Sequence, residues 1–132
     1  MKLSVTLLFF AFVCTLSSCG QAAREKPYVY ELVTLNVGKN IIVGVKLYYG
    51  DKFANSGSLQ ADSKQTRTIG FFETPIPYPT KIEYYPYGAT KISEELFITD
   101  IKIIGQMQRG VAGQKLVVEI DPENLRATCT VK

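Results

Sequence analysis

From Pro27 onward, apolar and polar positions alternate in short runs separated by Gly, Pro, Asn and Asp, the pattern of strands and turns. The first run, Tyr28–Val37, sets Val29, Val33, Leu35 and Val37 on one face. Asn36–Asn40 then offers a tight hairpin loop. Ile41–Tyr49 alternates strictly, with Ile41, Val43, Val45, Leu47 and Tyr49 on one face and Lys46 and Tyr48 on the other. Residues 50–65 are small and polar and read as a long surface loop. Thr66–Glu73 resumes as a strand through Ile69, Phe71 and Phe72, and Lys81–Tyr85 makes a short one. Leu96–Ile104 reads as one strand, with Phe97, Ile101 and Ile103 set against Asp100 and Lys102. In Lys115–Ile120, Leu116, Val118 and Ile120 turn inward while Lys115 and Glu119 turn outward. Asp121-Pro122-Glu123-Asn124 makes a turn with proline at its second position. It leads into a last strand whose Leu125, Ala127, Cys129 and Val131 share a face.

About seven strands at turn-separated intervals predict an all-β fold, an antiparallel β-sandwich with a small β-barrel as the alternative. Parallel pairing is not expected, because no long amphipathic crossover segment is present. A helix finds room only near Ser93–Phe97. No internal repeat occurs.

The N-terminus is built differently. Met1-Lys2 is a short positive region, and Leu3 to Leu16 is mostly apolar and too short to span a bilayer comfortably. The run ends in Leu16-Ser17-Ser18-Cys19-Gly20, which resembles the lipobox of bacterial lipoproteins. That resemblance covers the first twenty residues. It implies a diacylglycerol on the Cys19 thiol, cleavage before Cys19, and acylation of the new terminus. Two or three acyl chains hold a protein stably at roughly 0.8 kcal/mol per buried methylene. Gly20 after the cysteine leans toward the outer membrane, with the domain facing the periplasm. The alternative is an ordinary secretory signal cleaved after Ala22. The expected organisation is a signal peptide over 1–18, a lipidated Cys19 and short tether over 19–26, and a β-sandwich domain over 27–132.

Composition narrows the functions open to that domain. The chain has 132 residues, 46% hydrophobic and 20% charged, which suits one small globular domain. A net charge of +3 is too small to argue for nucleic acid. The absence of histidine excludes every mechanism that needs an imidazole. Of the three cysteines, Cys14 leaves with the signal and Cys19 takes the lipid. Cys129 is left alone, with no disulfide partner, and reads as a small buried core thiol.

Four features are candidates for chemistry or contact. Thr74-Pro75-Ile76-Pro77-Tyr78-Pro79-Thr80 cannot continue a central ladder. It reads either as a stiff loop presented to a partner or as a crossover between sheets. Tyr78, Tyr84, Tyr85 and Tyr87 crowd together, and tyrosine suits both contact surfaces and the rims of cores. Gly105–Gly113, with Arg109, lacks the Lys-Ser/Thr of a phosphate loop and reads as a flexible hairpin tip. Glu94-Glu95, Glu119 and Asp121 interleave with lysines, as on a solvated sheet face. No catalytic residue, metal ligand or cofactor is assigned. The partner-binding candidates are Pro77, Tyr78, Tyr84, Tyr85, Tyr87 and Arg109.

The layout of lipobox, brief tether and sheet domain resembles the small lipoproteins of bacterial contact-dependent and type VI secretion systems, some of which are immunity proteins. It implies a protein-binding lipoprotein that occludes a partner enzyme or, alternatively, a structural lipoprotein of an envelope complex.

Overall fold

The computed structural model describes residues 25–62, 67–88 and 95–132. The signal segment, Cys19 and the tether as far as Arg24 lie outside them, as do Thr66, Ser93-Glu94 and the side chains of Ile69 and Phe71. Nine strands are described: β1 (Tyr28–Asn36), β2 (Ile42–Tyr49), β3 (Lys52–Leu59), β4 (Arg67–Thr74), β5 (Lys81–Pro86), β6 (Leu96–Ile98), β7 (Asp100–Ile104), β8 (Gln114–Asp121) and β9 (Arg126–Val131). They form two open sheets, β4-β1-β8-β9-β7 and β3-β2-β5-β6. The fold is a β-sandwich, not a barrel, and the described residues hold no helix.

The C-terminal hairpin follows the sequence pattern closely. Leu116, Val118 and Ile120 are fully buried, and β9 returns antiparallel through Ala127 and Cys129. Asn124 closes the turn by donating from its main chain and side chain to the Asp121 carboxylate, at 3.3 and 2.8 Å. Leu125 does not point inward. It sits in the turn at φ 51° and is exposed.

Elsewhere the tertiary structure reorders the pattern. On β1 the inward face is Tyr30, Leu32, Thr34 and Asn36, the reverse of the face read from its valines. Thr34 and Asn36 are buried polar residues and need partners. Thr34 shares a 3.0 Å hydroxyl bond with Ser56. The Asn36 amide donates to the carbonyls of Asn40 and Leu59, and its oxygen accepts from Gly38. These bonds steer residues 37–41 from one sheet to the other, so β1 and β2 do not form the expected hairpin.

On β2, Val45, Leu47 and Tyr49 face inward as expected. A bulge at Gly44 (φ 62°) then shifts the register, and Ile42 is buried in place of Ile41 and Val43. The expected long loop over 50–65 is largely β3. The chain reverses at Gly50 (φ 68°) and runs back antiparallel along β2, with Ala54, Ser56 and Leu59 inward. Small side chains hid this strand: Ala, Ser and Gly have low strand propensity, yet here they fit under the other sheet.

Leu96–Ile104 divides after Ile98. β6 closes one sheet and β7 enters the other, so Ile98 is buried, Ile101 half-buried, and Phe97 and Ile103 exposed. Two pairs, β1 with β8 and β7 with β9, are parallel. They need no helical crossover, because the chain reaches the second strand of each pair by way of other strands. Loop 105–113 is therefore a connection past β9 and not a hairpin tip. Gln114 ties it down, accepting from the Gln108 amide and donating to the carbonyls of Gln108 and Val111.

Candidate partner-binding face

Strand alternation builds the site. The rung Leu47, Ile82 and Ile98 points into the core, which obliges the flanking rungs of the four-stranded sheet to face out. One outward rung is Asn55, Lys46, Glu83 and Phe97 in register across β3, β2, β5 and β6. The other is Phe53, Tyr48 and Lys81. Phe53 and Phe97 are 50% and 45% exposed, at the two sides of this face.

Between them lies a carboxylate that solvent scarcely reaches. Glu83 is 4% exposed, although it stands on the outer side of the sheet. Tyr48 donates its phenol to Glu83 Oε2 at 2.6 Å, and Lys46 Nζ stands 3.7 Å from Oε1. Burial opposes the charge on Glu83. Hydrogen bonds from Glu95 and Tyr48, with the charges of Lys46 and Lys81, outweigh it and hold the carboxyl below its ordinary value. When protonated, Glu95 donates in that pair, so its own carboxyl is raised, chiefly by the hydrogen bond to Glu83. The Tyr48 phenol is pushed up to about 12 by its bond to Glu83. Tyr85 donates to Glu95 at 3.2 Å, and its phenol is raised by burial and by the Glu95 charge.

The cations of the face lie on its rings. Lys81 Nζ is 4.3 Å from the Tyr48 ring centre and 5.0 Å from that of Phe97. Lys46 Nζ is 5.1 Å from the Phe53 ring, and the Tyr48 and Phe53 rings are 5.5 Å apart. Each such contact contributes about 0.5–1 kcal/mol at an exposed site, enough to limit the rotamers of the lysines. The result is a pre-ordered surface with apolar sides and a charged centre.

The sequence-derived candidates do not form one patch. Tyr84 is 1% exposed and belongs to the core, where its hydroxyl donates to the Pro122 carbonyl at 3.4 Å, so its assignment as a contact residue is corrected. Tyr85 sits half-buried on the aromatic face. Tyr78 packs against the core, and its hydroxyl accepts from the Met107 amide at 2.8 Å. The proline segment, including half-buried Pro77, and loop 105–113 do therefore meet. Arg109 lies beside them. It stacks 4.4 Å from the Tyr28 ring, pairs with Glu25 at 3.3 Å and donates to the Lys26 carbonyl, which fixes the chain where it enters β1. Tyr87, 72% exposed, follows the far end of β5, a strand roughly 20 Å long.

Phe53, Lys81 and Phe97 were missed by sequence reasoning. Lys46 and Tyr48 were read outward correctly, and Lys81, Glu83 and Tyr85 show the same alternation one strand away. Phe53 lies in a stretch whose small polar residues read as loop, and Phe97 faces outward although the pattern groups it with Ile101 and Ile103.

Cys129 is fully buried and free, and burial pushes its thiol up to about 12, which leaves it inert. Among the described residues no group of His, Cys, Asp or Glu could hold a metal, and no helix is long and apolar enough to cross a membrane. Comparison with known proteins found no matching family model, no matching curated protein and no matching solved structure.

Proposed function

We propose that the chain is a lipid-anchored protein of the bacterial envelope that binds a protein partner through the outer face of its four-stranded sheet. The observation that carries the binding reading is the pair Phe53 and Phe97, each about half exposed, on either side of the Tyr48–Glu83–Lys81 cluster. Aromatic side chains around a pre-ordered polar centre are the usual anchors of protein interfaces. Because rings and lysines already hold one another, little side-chain entropy is lost on docking. A rigid face of this kind suits occlusion of an enzyme, the action of an inhibitor or immunity protein.

The anchor reading rests on Leu16-Ser17-Ser18-Cys19. From Cys19 to Glu25 the chain spans at most about 20 Å, so a lipid on Cys19 keeps the Arg109 end of the sandwich close to the bilayer.

The test is capture from a solubilised bacterial envelope with the wild-type chain and with a Phe53→Ala, Phe97→Ala double variant. A partner held by the wild type and bound at least tenfold more weakly by the variant, with an unchanged circular dichroism spectrum, is the expected result. Equal retention by both removes this face from the proposal. Radiolabelled palmitate incorporated by the wild type and not by Cys19→Ala checks the anchor separately.

A further inference from the structure

Among the described residues the five-stranded sheet ends on β7, which pairs with β9 on one side only. An extended strand directs its main-chain N–H and C=O groups to both sides in turn. Asp100–Ile104 therefore turns part of its hydrogen-bonding capacity away from the sheet. Natural edges are blunted with charges, proline, bulges or a covering element. Of these devices β7 carries two charges, Asp100 and Lys102, and no proline or bulge. Ile103 and Ile104 are 46% and 44% exposed, and as neighbours on a strand they point to opposite faces. Apolar surface thus stands on both sides of the same open edge. The cause is the switch between sheets after Ile98: β6 is only three residues long, and β7 leaves the four-stranded sheet behind.

The charges along this edge are unequal. Asp100 is taken up by Arg126, whose Nε lies 3.3 Å from the carboxylate. Lys102 is exposed and, among the described residues, makes no ion pair. We propose that β7 is a strand-addition site for an extended segment of a partner protein. That segment sets apolar side chains beside Ile103 and Ile104 and a carboxylate opposite Lys102. Main-chain bonds supply the affinity, while the isoleucines and Lys102 set the register. A second copy of this chain fits the edge poorly in one symmetric register. Two antiparallel β7 strands in the register that pairs Ile101 with Ile103 place Lys102 against Lys102, and like charges directly opposite are destabilising. The proposal is independent of the aromatic face, which belongs to the other sheet.

The probe is the peptide acetyl-Thr-Val-Val-Glu-Val-Thr-amide, added to the full chain in detergent micelles and followed by amide hydrogen exchange. Exchange is expected to slow within Asp100–Ile104. The effect should vanish with a peptide N-methylated at alternate residues, which cannot form a ladder. Lys102→Glu should weaken binding roughly tenfold and favour the peptide with lysine in place of glutamate. Protection of another edge or face, equal binding of the N-methylated peptide, or no protection at all overturns the proposal. Protection of β7 that rises with protein concentration and needs no peptide also overturns it, in favour of self-association.

Discussion

Tyr48 donates a 2.6 Å hydrogen bond to Glu83, and the two residues sit on neighbouring strands of an outward-facing rung pair. A charged acceptor makes this a strong bond, and removing it should change both partners. Tyr48 should titrate near 12, against an ordinary 10.0 for a tyrosine phenol. Since the folded value is the higher one, the stability it contributes is fully present below pH 10 and is lost as pH rises toward 12. Glu83→Gln should bring the Tyr48 phenol down toward its ordinary value. The measurement is ultraviolet difference titration of the phenolate band, with Tyr48→Phe identifying the signal. An unshifted Tyr48 in the variant contradicts the assigned cause.

The Glu83–Glu95 pair makes stability depend on pH in two opposite ways. Glu83 is lowered below 4.5, so its contribution is present above that value and lost as pH falls. Glu95 is raised above 4.5, so its contribution is present at low pH and lost as pH rises through its folded value. Lys46, Lys81, Tyr48 and Tyr85 are the described charged and titratable groups that act on the pair. Glu95→Gln keeps a donor toward Glu83 at every pH. The variant should match the wild type near pH 4 and have the higher urea midpoint as pH rises through the folded value of Glu95. A difference that does not change with pH runs against the shared-proton account.

Tyr84 and Tyr87 are three positions apart and should behave as opposites. Tyr84 is enclosed in the core, so Tyr84→Ala should cost about 3–5 kcal/mol in unfolding free energy. Tyr87 is 72% exposed, and Tyr87→Ala should stay within about 0.5 kcal/mol of the wild type. Chemical denaturation of both variants decides it. Comparable losses contradict the placement of β5.

Alternation along a strand states which residues share a face. It does not state which face lies inward, and that is where reading and structure part. On β8 and β9 the two faces differ sharply in polarity, so Leu116, Val118, Ile120 and Cys129 were legible as core, and the turn at Asp121–Asn124 was local chemistry. On β1 both faces carry apolar residues, because an interior strand is covered on each side: Val33 is 3% exposed on one face and Leu32 is fully buried on the other. Only the partners of Thr34 and Asn36, which come from β3 and from the connection between β1 and β2, decided that the polar residues go in.

The candidate site divides the same way. The outward turn of Lys46 and Tyr48 was legible from their neighbours Leu47 and Tyr49. The exposure of Phe53 and Phe97 was not, since it depends on a sheet edge and on a switch between sheets, both set by residues distant in sequence.

The chain's own order of residues thus determined that it is a β protein, that Cys129 has no disulfide partner within residues 27–132, and that imidazole chemistry is excluded. It also carries the lipobox-like run at Leu16–Cys19. Tertiary structure alone decided the strand order, the parallel pairs, the buried place of Tyr84 and the gathering of Phe53, Tyr48, Lys81, Glu83 and Phe97 on one surface. The physical reason is that strand pairing is non-local: hydrogen-bonded partners come from anywhere in the chain, and a period-two pattern encodes a face without naming the strand that will cover it.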